Sequence, residues 1–512
     1  MLLRSFTHSN VVMILNSFVF LLCCLLVWVW MKWLRVKSYW ADRNVLYSPP
    51  HPVFGSLTFL QKENPAIWLK NLYKQFPVSY CGVWLFWRPC LVINSPDIAR
   101  RILVKDSDNF RNRHISSGSS DPLGSLNIFT VNDPLWTSAR KRLTTVFTAA
   151  KLRAFQSVAL HKSKLLVERI AMDNKNGVRT DIRNMFTDFT TDVVGETVFG
   201  VSSNSIMNEE GPLRHITKEL MTYSTYRGLS ACCVFFIPEL INVFRFKFFP
   251  KDLQDYLRSL FRLTVEQHGG YEKEVTSNRD LIDAILKMRQ DAVKEGQEMS
   301  EDFLVAQASI FLQGGFDTSA VALTYIIYEL AFAPEAQERL YEEIAKTKER
   351  IGDRDFDATT LSEMPYLNAV IKEAVRKYPA MAWLDRVASK SYEIDENLTI
   401  EPGTVVYINT MGIQNDPQYF PEPEEFKPER FLPENEDQIT PYTFLAFGDG
   451  PRHCIGERFA YQTIRYALAH VIYNFKVKKI ENSKCPSECS FEKKGMFLTP
   501  GETLFVNFVP RM

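Results

Sequence analysis

A chain of 512 residues, 46% hydrophobic and 23% charged, has globular composition and is neither disordered nor fibrous. Its 60 basic residues balance its 60 acidic ones, so no bulk charge favours nucleic acid, and none is expected as a partner. Nine scattered cysteines, an odd number, do not form a secreted disulfide framework and suit a reducing compartment.

The first predicted element is a membrane anchor at residues 11–31, VVMILNSFVFLLCCLLVWVWM, which carries no charge. A bilayer core needs about 20 residues of helix, and this run is long enough. It is too long for the apolar part of a cleavable signal and has no small-residue cleavage site. Trp28, Trp30 and Trp33 near its end suit the membrane–water interface. Lys32, Arg35 and Lys37 follow the span, whereas Arg4 precedes it. Positive-inside bias therefore puts residues 1–10 on the lumenal side and the large C-terminal part in the cytosol. Residues 32–52 read as a basic, proline-rich linker in which Ser48-Pro49-Pro50-His51-Pro52 is stiff and extended. Residues 53–512 read as one body, because no flexible linker or internal repeat divides them.

In that body, strand-like runs at 78–86 and 90–94 flank a turn at Trp87-Arg88-Pro89. Helical patterns follow at 96–104, 150–172, 181–199, 213–226, 251–268, 281–290, 302–332, 334–348, 364–377 and 455–473. Short strand-like pieces return at 404–408, 475–478 and 504–509. The fold class is mostly α with a minor β-sheet region. The helix from 302 is the longest. Ser300 is its expected N-cap, with Glu301 and Asp302 beside the positive end of the dipole. It is apolar nearly all round, which implies burial through the middle of the body. Gly314 and Gly315 at its centre each cost about 1 kcal/mol against alanine, which implies that something approaches the backbone closely there. The segment 235–250 interleaves aromatics with Arg245 and Lys247, a pattern that suits a membrane interface or a packed core. Cys485 and Cys489 have loose metal-ligand spacing, but no histidine or second cysteine pair accompanies them.

The most informative stretch is Phe447-Gly448-Asp449-Gly450-Pro451-Arg452-His453-Cys454-Ile455-Gly456, which fits F-x-x-G-x-R-x-C-x-G. A cysteine that ligates haem iron must be a thiolate, so its site must stabilise negative charge. A glycine-rich turn leaves backbone N–H groups free to point at the sulfur, and the following helix adds its positive end. Arg452 suits a haem propionate, as guanidinium suits carboxylate. Phe447 can cover one face of the ligand and exclude water. Cys454 is thus the expected metal ligand.

In this loop, and in segments spread from the anchor to the last strand, the chain resembles the cytochrome P-450 family. Glu373-Ala374-Val375-Arg376 matches its E-x-x-R helix, and Phe420 to Phe431 resembles the segment before the cysteine loop. The resemblance implies a Glu373–Arg376–Arg430 network bracing the core. Trp136-Thr137-Ser138-Ala139-Arg140 matches its W-x-x-x-R, with both side chains on one helical face toward a propionate. Arg386, after Tyr378-Pro379, resembles a further propionate-binding arginine. Gly314 to Ser319 matches the oxygen-activating pattern, with Thr318 beside bound dioxygen and Asp317 relaying protons. Residues 121–152 look most like insect microsomal members.

The resemblance implies a cytochrome P-450-like fold behind a single N-terminal transmembrane helix, with residues 53–512 as the haem-thiolate catalytic domain and haem b (iron protoporphyrin IX) as cofactor. It implies a monooxygenase that inserts one atom of dioxygen into a lipophilic xenobiotic, hormone or lipid. Electrons would come from NADPH through a flavoprotein reductase, with a cytochrome b-type protein as a second donor. The place would be the endoplasmic reticulum membrane. Arg458, Lys141 and Arg142 are candidates for the reductase-docking surface, and the walls near 117–129, 380–384 and 495–498 for the substrate pocket. Two rival activities use the same loop: an isomerase or dehydratase needing no external electrons, and a non-catalytic haem sensor. NADPH dependence and product formation discriminate them.

Overall fold

The chain was analysed as a computed structural model that describes residues 2–208, 211–275 and 280–511. The apolar N-terminal run lies in one long helix, α1 (Leu2–Ser38). It is long and apolar enough to cross a membrane, with mean hydropathy 2.4 over its best window and none of that window buried. The residues after it dock on the body: Trp40 is fully buried, and its Nε1 donates to Val83 O at 3.2 Å. Gly82 admits that ring, since a Cβ there would lie 2.4 Å from Trp40 Cδ1.

Strands β1 (Tyr80–Leu85) and β2 (Arg88–Ile93) form an antiparallel hairpin in which Leu85 faces Arg88. The turn is therefore Phe86-Trp87, one residue earlier than the proline suggests. Pro89 sits in β2 opposite Trp84, just before the residues that pair on the other side, so its missing N–H breaks no ladder bond there.

Helices then build the body. They include α2 (Pro122–Leu126), α3 (Leu135–Thr144), α4 (Ala149–Lys175), α5 (Ile182–Phe199), α6 (Thr225–Phe236), α7 (Lys251–Gln267) and α8 (Leu281–Lys294). The long helix α9 (Glu301–Phe332) runs through the middle. Ser300 Oγ caps it by accepting from Phe303 N at 3.2 Å. It passes the same length and hydropathy test as α1, but 72% of its window is buried, which marks it as a core helix. α10 (Pro365–Lys377) and α11 (Glu457–Asn474) pack with α4, α5 and α9 around one large apolar core.

The main sheet has the order β1-β2-β4-β3, with β3 (Leu384–Val387) and β4 (Val405–Ile408). β2 runs parallel to β4, and β3 antiparallel to it. A separate pair, β5 (Phe475–Lys479) and β6 (Val506–Pro510), closes the chain. The fold is mostly α with minor β, as the sequence pattern implies. It sets the centre of α9 and the loop before α11 on a shared cavity.

Candidate active site

The cysteine loop is shaped by glycine. Gly448 and Gly450 both have φ near +72°, which L side chains rarely adopt. Gly450 also presses on the backbone of Leu103, whose carbonyl oxygen a Cβ would meet at 1.8 Å. Cys454 N donates to Phe447 O at 2.9 Å and His453 N to Gly450 O at 3.0 Å, so the loop closes tightly ahead of α11. The Cys454 thiol is accessible from the cavity. Burial pushes its pKa up, while the Gly456 N–H and the guanidiniums of Arg140 and Arg113 act in the opposite direction. Phe447 lines the cavity and packs on Tyr461, ring centroids 5.2 Å apart.

Beside the loop lies a cluster of arginines. Arg452 stacks over Trp136 at 4.0 Å and donates to Arg111 O (2.9 Å) and Val131 O (3.1 Å). Trp136 therefore orients a guanidinium as well as lining the cavity. Arg140 reaches His453 Nδ1 at 3.3 Å. Arg386 sits outside the cavity wall. It follows Leu384, which lines the cavity, on the same face of β3, and its Nη1 donates to Asp385 O at 2.8 Å. Burial, with Arg113 and Arg386 alongside, pushes the Arg452 pKa down to about 8. Burial and Arg113 push Arg386 down to about 9.

The sequence reading missed Arg113. It lines the cavity, and its Nε is buried without a hydrogen-bond partner among the described residues. Nothing in Arg111-Asn112-Arg113 marks the third residue over the first. Only the fold turns it inward, through Asn132 Oδ1, which accepts from the Arg113 backbone N at 2.9 Å and from Arg452 at 3.3 Å.

The opposite wall is α9. Gly314 and Gly315 have separate uses. A Cβ at Gly314 would meet nothing within 4 Å, whereas one at Gly315 would lie 2.8 Å from Val194 on α5. Gly314 therefore opens the cavity, and Gly315 lets two helices pack closely. Thr318 Oγ1 donates to Gly314 O at 2.6 Å, so its oxygen is left to the cavity as an acceptor. Asp317 also lines the cavity, but its carboxylate is ion-paired with Arg183 of α5.

The brace behind the loop is present. Glu373 and Arg376 are fully buried and paired twice, at 2.7 and 2.9 Å, and Arg430 adds a contact of 3.4 Å. Gln414 carries this brace to the cysteine loop. Its carbonyl accepts from Arg376 at 2.7 Å, its Nε2 donates back to Arg376 O at 2.8 Å, and its Oε1 accepts from Leu445 N at 2.7 Å.

The cavity measures about 290 Å³. Its remaining walls include Ile128, Phe129, Ala380, Met381 and Phe497, within or beside the expected segments, and Phe248 from the aromatic stretch. That stretch is part core and part surface. Phe235, Phe236 and Phe249 are core residues, whereas Val243 is 70% and Phe244 58% exposed.

Residues and cavity fit a haem. A cysteine thiol faces the space, the walls are largely apolar, and four guanidiniums gather near one edge. The acids acting on Arg452 are Asp385 and Asp133. Asp385 already accepts from the backbone N of His114 and Ile115 at 2.6 and 3.1 Å. Such an excess of buried positive charge suits a cofactor bearing carboxylates.

A family model described as Cytochrome P450 matches residues 46–508. The chain is similar to cytochrome P450 6k1 of Blattella germanica, 32% identical over 485 residues, covering 91% of this chain and 92% of that one. It is also similar to a probable cytochrome P450 6w1 of Drosophila melanogaster, 30% identical over 483 residues, with coverages of 89% and 91%. Cytochrome P450 6A1 of Musca domestica is 29% identical over 479 residues, with coverages of 92% and 93%.

Proposed function

Because the chain belongs to the cytochrome P450 family of haem monooxygenases, we propose that it binds haem b through Cys454 and oxidises a lipophilic substrate in the cavity under α9. The observation that carries this reading is the pairing of Cys454 with the α9 wall across a single cavity. When bound, the haem supplies the oxygen-activating chemistry, and a thiolate ligand pushes electron density onto the iron in favour of O–O cleavage.

The protein's own residues do the rest. Arg113, Arg140 and Arg452 hold the cofactor carboxylates, and Arg386 backs them from β3. Burial and Glu457 hold Cys454 toward the thiol, the Gly456 N–H, Arg140 and Arg113 oppose them in part, and iron at the sulfur would complete the shift to thiolate. Gly314 clears space, and Thr318 presents an oxygen that accepts hydrogen bonds. Asp317, held by Arg183, hands protons toward Thr318 when that ion pair loosens. The apolar walls keep water from the reacting centre.

Electrons come from NADPH through a membrane-bound flavoprotein reductase, at the endoplasmic reticulum. Lys141 and Arg458 are exposed and available to such a partner, whereas Arg142 is engaged with Glu295 at 2.5 Å. Reconstitution with reductase and NADPH tests the reading. The wild type should give the red-shifted carbonyl band of thiolate-bound haem and oxidise members of a lipophilic panel. Cys454→Ala should lose both. A variant that kept the band would remove Cys454 as ligand, and turnover without NADPH would exclude the proposed reaction.

A further inference from the structure

Cys485 and Cys489 have no part in the site around Cys454. Of the other cysteines, Cys23 and Cys24 lie on α1, and Cys81, Cys90, Cys232 and Cys233 are buried. Cys485 is thus the exposed cysteine on the outer surface of the body, and its neighbour Cys489 is buried. A short 3-10 turn, Pro486–Glu488, separates the two. A closed zinc site needs more ligands than two thiols, and among the described residues no third histidine, cysteine or carboxylate completes a metal-binding group with them.

The fold holds the two ends of this turn together. Glu502 receives both flanks: Lys484 Nζ meets its Oε2 at 2.7 Å, and its Oε1 accepts from Ser490 N at 3.0 Å. The Tyr328 hydroxyl, on α9, donates to Lys484 O at 2.7 Å and also hydrogen-bonds toward the Cys489 sulfur. Cys489 Sγ itself lies 3.5 Å from Cys485 O. Bond geometry then puts that sulfur within about 6 Å of Cys485 Cα, so rotation of the exposed Cys485 side chain about χ1 spans most of the remaining gap. Loop closure, the main entropic cost of a disulfide in the chain-entropy account, is already met by these contacts.

We propose that Cys485 and Cys489 form a peroxide-responsive thiol pair, which hydrogen peroxide converts to an intramolecular disulfide. The Cys485 sulfur attacks one peroxide oxygen and the O–O bond breaks. Cys485 becomes a sulfenic acid, and the other oxygen leaves as water with the thiol proton. The Cys489 sulfur then attacks the Cys485 sulfur. An S–S bond forms, the S–O bond breaks, and a second water leaves with the Cys489 proton. Two thiols are oxidised by two electrons while one peroxide is reduced to two waters. Exposure assigns the first step to Cys485, and burial, which pushes the Cys489 thiol up, reserves Cys489 for the second. In a reducing compartment such a bond is transient, as sensing disulfides are. The turn leads through Phe491, which packs on Tyr325 of α9 with centroids 6.3 Å apart, to Phe497 in the cavity wall. The bond therefore forms on a segment that reaches the active site.

The test treats the full-length, haem-loaded protein with hydrogen peroxide, blocks free thiols with iodoacetamide and digests with trypsin. Both cysteines fall in one tryptic peptide, residues 485–493. Wild type should give this peptide unalkylated and lighter by two hydrogens, and dithiothreitol before blocking should restore two alkylated thiols. With dimedone, which traps sulfenic acids, Cys489→Ser should carry at least about tenfold more adduct at Cys485 than wild type, because the resolving thiol is gone. Cys485→Ser should leave Cys489 unmodified. Two free thiols in wild type after peroxide would overturn the proposal. So would equal dimedone labelling of wild type and Cys489→Ser, or a disulfide from either residue to another cysteine. The wild-type peptide alone decides the matter should a variant fail to fold.

Discussion

At Thr318 a hydroxyl hydrogen is already committed. Its donation to Gly314 O at 2.6 Å leaves oxygen lone pairs on the cavity side. Thr318→Val keeps the shape and removes the acceptor, whereas Thr318→Ser keeps the acceptor. We expect Thr318→Val to lower product formed per NADPH consumed by at least about tenfold, the low end of what positioned proton-transfer groups contribute. Thr318→Ser should stay near wild type. Measuring product and NADPH together checks this, and equal coupling in Val and wild type would remove Thr318 from the proton path. Cys454 and Thr318 were legible in the sequence because their chemistry is set by close neighbours in the chain. A thiolate loop needs glycines a few residues away, and a helical hydroxyl needs a carbonyl one turn back. Arg113 was not legible. A lone arginine in a polar stretch acquires meaning only from what the fold places opposite it.

Elements with strong periodicity were found within a few residues. Examples are α5, expected at 181–199 and observed at Ile182–Phe199, and α9, expected at 302–332 and observed at Glu301–Phe332. The helix expected at 213–226 is instead two: one spans Pro212–Leu220, and α6 begins after Ser224, whose Oγ caps Arg227 N at 3.2 Å. The Cys-Cys-Val-Phe-Phe run of α6 has weak helix propensity, and tertiary packing overrides it. A second junction has a pH dependence. His268, just past α7, donates Nδ1–H to Thr264 O at 2.7 Å and meets Asp280, the N-cap of α8, at 2.9 Å through Nε2. Burial disfavours its charged form, but the Thr264 carbonyl, Asp280 and Asp283 outweigh burial and raise its pKa above the usual 6.5. Protonated His268 is therefore preferred in the fold. Its stabilisation is complete below the unfolded pKa of about 6.5 and is lost as pH rises through the higher folded value. Melting curves of wild type and His268→Gln should differ most near pH 6 and converge toward pH 9. A constant difference across that range would exclude the linkage.

At the scale of the whole molecule, several apolar pieces distant in sequence converge. Trp33 at the end of α1 packs on Trp87 in the β1–β2 turn, centroids 6.0 Å apart, and Phe54 packs on Phe86 of the same turn at 6.1 Å. Arg88 beside that turn is ion-paired with Glu239, which leads into exposed Val243 and Phe244. The anchor, the exposed Val53 and Phe54, and the segment after α6 thus share one side of the molecule. The sequence shows the long apolar helix α1 clearly, because a continuous apolar run is a local signal. It does not show the patch, whose members become neighbours only through the hairpin. Exposed apolar residues with basic Arg245 and Lys247 nearby suit insertion at a bilayer surface, which is weaker than a spanning helix but additive with it. Deleting residues 2–31 should therefore leave part of the protein on membranes in high salt, with the thiolate carbonyl band intact. Adding Val243→Asp and Phe244→Asp should move most of that remainder to the soluble fraction, since each charge opposes burial at the interface. Flotation of both variants with phospholipid vesicles measures the two steps separately. Complete release by the deletion alone would show that α1 is the whole anchor, and retention of the triple variant would place the second contact elsewhere on the surface.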